Sequence, residues 1–192
     1  TLSITYTDGA PGGVAPGLLL WMKADAGVTG STPITQWDDQ SGNSAGTTSI
    51  TGDPSVIPID ANFHPAINFD GNDHLTLGLS KDGNTSVDIY TVLQGNSASP
   101  NFFLATVSQL NGSPGSGLST SVVRTSGAMG FSIDSSQLST ISTPLDKVNL
   151  RGYSHNHVTD ILNFHANGIK GADISYVDGT PNPSANWQIG RD

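Results

Sequence analysis

Short runs of alternating apolar and polar residues make up most of the chain, and Gly, Pro, Asn or Asp separates them. Breaks at roughly 8 to 12 residues are typical of an antiparallel β-sandwich. No stretch longer than about two turns keeps the 3.6-residue apolar period of a helix. The pattern predicts strands at Thr1–Thr7, Ala66–Phe69, His74–Leu77, Ser86–Gln94, Asn101–Val107, Gly117–Arg124, Ala128–Ile133, Lys147–His155, Ile161–His165 and Trp187–Gly190.

Three local patterns refine this prediction. The apolar run within Asp88–Gln94 is nearly continuous, which indicates a central strand covered on both faces. Asn167–Gly168 supplies the positive φ angles of a tight hairpin turn. The segments Ser108–Gly117 and Val177–Ala185 are rich in Ser, Gly, Asn and Pro and are predicted to be loops.

Composition narrows the function classes. All sixteen acidic residues are Asp, so the Glu-dependent zincin motif and paired-Glu sugar hydrolases are excluded. A net charge of −9 without any basic cluster argues against nucleic acid and anionic membranes as partners. The chain has no Cys, which removes disulfides and thiolate metal sites. These features favour binding or assembly over catalysis.

The longest apolar run, Leu18–Met22, is too short to span a bilayer, so no membrane insertion is expected. A chain that begins at Thr1 suggests an exported protein whose signal has been removed. We predict an N-terminal arm at residues 1–8, a hinge at 9–17 and one β-domain at 18–192.

Five segments together resemble a known family: Leu18–Val28, Ile34–Asn43, Ala66–Leu75, Asn163–Gly168 and Trp187–Arg191. They resemble the laminin-G-like, concanavalin A-like modules of bacterial surface proteins, particularly those of the Bacteroidota. The resemblance covers roughly residues 11–191. It implies a two-sheet antiparallel jelly-roll sandwich, usually a non-catalytic module of adhesins or carbohydrate-active proteins. Trp21 and Trp37 would then be core anchors, each burying on the order of 200 Å².

The two ends of the chain depart from that family. Its sandwich normally has one more strand after the segment matching Ile189–Arg191, whereas this chain stops at Asp192. At the other end Thr1–Thr7 alternates, with Leu2, Ile4 and Tyr6 on one face. This strand either completes its own sheet or is donated to a neighbouring subunit, as in pilin assembly.

Two acidic turns are candidate Ca²⁺ sites, because carboxylate and amide oxygens are the ligands that Ca²⁺ prefers. One holds Asp70, Asn72 and Asp73, and the other holds Asp38 and Asp39. Turns are also enriched in Asp and Asn for backbone reasons alone, which is the competing interpretation. A weaker candidate is a transition-metal site made of His155, His157 and His165.

A glycan site needs an exposed aromatic ring beside polar groups. The candidate rings are those of Trp187, Tyr153, Tyr176 and Phe102. The sequence therefore favours a non-catalytic extracellular module of a cell-surface adhesin or appendage that binds glycan or a partner surface. The alternative is a structural subunit that forms a homopolymer by donating Thr1–Thr7, and a glycan-cleaving enzyme is the least favoured class.

The assembly hypothesis predicts filaments in electron micrographs of the concentrated protein, because a donated strand joins each subunit to the next. A chain that stays monomeric at high concentration, with the amides of Leu2 to Tyr6 protected from hydrogen exchange, would contradict it.

Overall fold

The computed structural model describes residues 10–13, 16–61, 63–80, 86–94, 106–108, 119–125, 128–133, 136–139, 141, 144, 147–175 and 186–190. At residues 61, 80, 106–108, 119–125, 128–133 and 136–139 it describes the backbone alone.

Strands account for nearly all the regular structure of the described residues, where the one helical element is a 3₁₀ turn at Pro11–Gly13. The strands are β1 (Val28–Gly30), β2 (Ile34–Trp37), β3 (Thr47–Thr51), β4 (Ser55–Ala61), β5 (His64–Asn68), β6 (His74–Ser80), β7 (Val87–Leu93), β8 (Thr106–Ser108), β9 (Ser119–Thr125), β10 (Ala128–Ile133), β11 (Ser136–Ser139), β12 (Asn149–Asn156), β13 (Ile161–Ala166), β14 (Ile169–Lys170), β15 (Ile174–Ser175) and β16 (Asn186–Ile189).

The predicted all-β sandwich is confirmed, and the paired strands of the described residues are antiparallel throughout. The sheet orders are β14-β13-β12-β7 with β15 also on β13, β11-β10-β9-β8, β16-β6-β3, β1-β2 and β4-β5. The Asn167–Gly168 turn joins β13 to β14, and both residues have positive φ, 50° and 81°, as predicted.

Sequence reasoning missed β1 to β4 because their composition is not typical of strands. These strands are short or rich in Thr, Ser and Gly, and β4 contains Pro58. Proline lacks a donor for the ladder, so it argues against a strand in a pattern-based prediction. Here the register of β4 against β5 shifts between Ile57 and Ala61, and this irregularity spans Pro58.

One part of the core forms around Ile34, Trp37 and Leu75, which are all buried. The indole of Trp37 donates from Nε1 to the carbonyl of Lys23 at 2.8 Å, so its one polar atom is satisfied. The prediction that Trp37 is a core anchor is confirmed, whereas Trp21 is only partly buried. The hydrophobic residues packed against this cluster are Met22, Ala24, Val28, Ile50, Val56, Ile67 and Phe69.

The inner face of β12 and β13 forms a second buried layer. Tyr153 lies opposite Phe164, and their ring centroids are 5.7 Å apart at an interplanar angle of 49°. Leu162 and Ala166 continue the layer on β13. Arg151 is also buried here; burial lowers its pKa, and its Nη1 donates to the carbonyl of Ile141 at 3.4 Å.

The prediction that β7 is covered on both faces is wrong. Its side chains alternate between half-buried and exposed from Val87 to Leu93, and β7 pairs with β12 alone among the described strands. Tyr90 and Val92 are 65% and 62% exposed. A run of apolar residues therefore stands on a strand with one face open to solvent.

Several predictions fall outside the described residues and stay predictions: the arm Thr1–Thr7 with Leu2, Ile4 and Tyr6, most of the loops at 108–117 and 177–185, and the rings of Phe102 and Tyr176. Only part of the predicted hinge at 9–17 is described. In the part of the chain that the structure describes, no helix has the length and apolar character needed to span a bilayer.

Candidate functional site

The register of three strands defines an open surface on one side of the sandwich. Tyr153 pairs with Phe164 of β13 and with Ile89 of β7, and these residues point inward. Successive side chains on a strand point to opposite faces, so the residues between them point outward. We call this surface the outer face; it comprises Asp88, Tyr90, Val92, Leu150, Gly152, Ser154, Asn156, Ile161, Asn163 and His165.

Tyr90 lies on the β7 side of the outer face, opposite Gly152. A Cβ at position 152 would lie 2.8 Å from Tyr90 Cε1, 3.0 Å from Tyr90 Cδ1 and 3.2 Å from His165 Cβ. The ring therefore leans across the glycine toward His165, in space that any larger residue would fill. Packing an aromatic ring over a cross-strand glycine also stabilises a sheet.

Different chemistry flanks Tyr90 on its two sides. Asp88 lies two residues before it on the same face, exposed and opposite Ser154. Val92 lies two residues after it, opposite the exposed Leu150. The outer face thus offers an aromatic ring between hydrogen-bonding groups and an apolar patch, which is the combination a sugar requires.

Two of the predicted aromatic platforms are buried, and the prediction is wrong for them. Tyr153 is 2% exposed and Trp187 is 6% exposed, so neither presents a ring face to solvent. The reason is register, because β12 places Tyr153 against Phe164 inside the sandwich. Sequence reasoning missed Tyr90, because the feature that distinguishes it, its cross-strand pairing with Gly152, is not visible in the sequence.

A second exposed aromatic residue lies elsewhere. Phe63 is 91% exposed in the turn between β4 and β5, with φ at 66°. It lies outside the outer face. Phe63 therefore provides a matched comparison for Tyr90.

The predicted Asp70 turn forms a carboxylate cluster with a member that sequence reasoning missed. Within the described ranges, the one group of carboxylates close enough to share a cation is Asp53, Asp70 and Asp73, whose candidate ligand atoms lie within 4.8 Å of one another. The carboxylate of Asp73 is buried and accepts from the backbone N–H groups of Asp53 at 2.7 Å and Asp70 at 3.0 Å. The third predicted ligand, Asn72, is exposed and donates its N–H to Asp70 Oδ1 at 3.2 Å.

Gly52 allows this cluster to close. Its φ is +77°, and a Cβ there would overlap the Asp73 carboxylate. The role of Asp73 is thus structural at least, since it ties two turns together. The prediction of Ca²⁺ at this turn stays a prediction.

The second predicted metal turn stands apart from this cluster and has a structural role. Asp39 Oδ1 accepts from the N–H groups of Trp21 and Ser41 at 2.9 and 2.8 Å. Its Oδ2 accepts from the Ser41 hydroxyl at 2.6 Å and from the N–H of Ala45 at 3.1 Å. Burial alone would raise the pKa of Asp39, but these hydrogen bonds outweigh it and hold the pKa below its usual 3.8. The neighbouring Asp38 is exposed.

The three-histidine hypothesis is wrong in its geometry. His155 is buried on the inner face, whereas His165 pairs with Gly152 and belongs to the outer face. The rings of His155 and His157 have centroids 6.4 Å apart. Three imidazoles that do not share a face cannot close around one ion.

Comparison with known proteins finds a similar fold but no matching family. No protein-family model matches the chain, and no curated protein matches it in sequence. Among solved structures, the chain is similar to domain 4 of AbnA, a GH43 extracellular arabinanase from Geobacillus stearothermophilus, solved in complex with arabinotriose. The TM-score is 0.57 at 15% identity, over 81% of this chain and 78% of that chain. This likeness shows a shared β-sandwich fold.

Asp39 predicts an acid-sensitive step in stability. A lowered folded-state pKa stabilises the protein above the unfolded value, and this contribution is lost as pH falls below about 4 through the folded pKa. Asp39→Asn should lower the free energy of unfolding at pH 7 by about 2 kcal/mol and should reduce its change between pH 5 and pH 3. Urea unfolding measures both effects, with Asp38→Asn as the exposed control. An unaltered pH dependence in Asp39→Asn would contradict this role.

The calcium prediction is tested by thermal unfolding with and without millimolar CaCl₂. A cation that binds only the folded state should raise the melting temperature. At a free concentration about a hundredfold above Kd, the free energy of unfolding increases by about 2.7 kcal/mol. Combining Asp53→Asn with Asp70→Asn should abolish the increase, while Asp38→Asn should keep it. Failure of calcium to shift the wild-type melting temperature would contradict the prediction.

Proposed function

We propose that this chain is a non-catalytic glycan-binding module of an extracellular protein, and that the outer face is its binding surface. The observation that carries the proposal is the exposed ring of Tyr90, which leans over Gly152 beside Asp88. A sugar ring stacks on an aromatic face while its hydroxyls form hydrogen bonds with polar neighbours.

The structural comparison supports the same class of ligand. The similar domain belongs to an extracellular enzyme and was solved with a bound trisaccharide. A sandwich of similar fold with an open aromatic surface is suited to binding the same class of ligand, although function resides in the site rather than in the fold.

The acidic cluster does not favour a glycosidase. Such enzymes need two carboxylates free to act as acid, base or nucleophile, about 5 to 9.5 Å apart. Asp73 is buried, and both of its oxygens accept backbone N–H groups. A carboxylate held in this way supports the backbone, so we propose a binding role without catalysis.

A protein partner is the second candidate ligand for the outer face. Val92 and Leu150 are exposed side by side, and Val148 lies close to them in sequence and is also exposed. Exposed apolar patches of this kind mark interaction surfaces. An adhesin role would fit either ligand.

A glycan array that includes arabinan oligosaccharides identifies the ligand, and titration of the best hit then tests Tyr90. Tyr90→Ala should raise Kd about thirtyfold, equivalent to the loss of about 2 kcal/mol when a main aromatic contact is truncated. Tyr90→Phe keeps the ring and should retain most of the affinity. Phe63→Ala removes an even more exposed ring outside the outer face and should leave Kd unchanged.

Two results would contradict the proposal. One is an array without any bound glycan, and the other is equal affinity in the wild type and Tyr90→Ala. Circular dichroism of each variant confirms that the fold is intact.

A further inference from the structure

We infer that the outer face selects uncharged glycan chains and discriminates against glycans that carry carboxylates. This inference rests on the proposed function and adds the chemical class of the ligand. It follows from the charges that surround Tyr90 rather than from the ring itself.

Asp88 is the charge closest to the ring along β7. It lies two residues from Tyr90 on the same face, a separation of about 7 Å along an extended strand. It is exposed and forms no ion pair within the described part of the chain. Any sugar stacked on Tyr90 therefore lies within the screening length of this carboxylate, about 8 Å at physiological salt.

The cation nearest in the register is already paired. Lys170 of β14 lies opposite His165 of β13, in the cross-strand row that runs from Tyr90 through Gly152. Its Nζ lies 2.7 Å from Asp173 Oδ1, so the two charges offset each other at the surface. Arg151, on the neighbouring strand, is buried and pointed inward. Among these described charges, the one beside Tyr90 on the outer face is the carboxylate of Asp88, which is negative.

The carboxylate of Asp88 favours the binding of neutral sugars and disfavours the binding of acidic ones. A hydroxyl donates a hydrogen bond to the carboxylate, and bonds to charged groups are stronger than neutral ones. A ligand carboxylate cannot donate and is repelled. At about 7 Å and without screening by salt, this repulsion corresponds to roughly a threefold loss of affinity for each ligand carboxylate at the dielectric constant of water, and to a larger loss at a lower effective dielectric.

A matched pair of polymers tests the inference. The neutral polysaccharide that binds best is converted into a hydroxyethyl and a carboxymethyl derivative at equal, low degrees of substitution. The two derivatives differ in charge but carry substituents of similar size. Affinity gel electrophoresis then gives the ratio of their Kd values for the wild type, for Asp88→Asn and for Asp38→Asn, an exposed charge outside the outer face.

The wild type should bind the hydroxyethyl derivative at least threefold more tightly, and higher salt should reduce this ratio. Asp88→Asn should bring the ratio close to one, while Asp38→Asn should keep the wild-type ratio. Equal binding of both derivatives by the wild type overturns the inference, and so does a ratio of Kd values that Asp88→Asn fails to change. Both results leave the proposed function intact. Binding of the neutral parent polysaccharide that Tyr90→Ala does not weaken overturns the proposed function itself.

Discussion

The cross-strand register of β7, β12 and β13 is the constraint on which the rest of the structure depends. Tyr153 lies opposite Phe164 and Ile89, and burial of Tyr153 and Phe164 fixes which face of the sheet is internal. A slip of one residue would move every side chain to the other face. The same register that buries Tyr153 therefore exposes Tyr90 and sets it opposite a glycine.

That arrangement connects stability to recognition. The inner layer supplies apolar burial at Leu162 and Phe164, while the outer layer keeps a large ring in water. Gly152 makes the exposed ring possible, because any Cβ there would meet it. The carboxylates of Asp39 and Asp73 secure turns elsewhere by accepting backbone N–H groups, and they need no ligand to explain their positions.

The sequence predicted the class of fold and the most regular strands, but it could not predict the register. The bounds of β10 match the prediction, and those of β12 and β13 lie within two residues of it, because their apolar positions alternate or run between clear turns. Asp70 and Asp73 were found because they are close in sequence, whereas Asp53 joins them from a distant turn. Tyr153 and Tyr90 look equally suitable as binding residues until pairing separates them. Local pattern thus locates strands, and long-range pairing locates the site.

The central claim is that the outer face is where the ligand binds. A crystal structure of the protein with an oligosaccharide taken from its best array hit tests this most directly. The account predicts a sugar ring stacked on Tyr90 with a hydroxyl hydrogen-bonded to Asp88. A sugar bound elsewhere on the molecule, with Tyr90 left open to solvent, would contradict it.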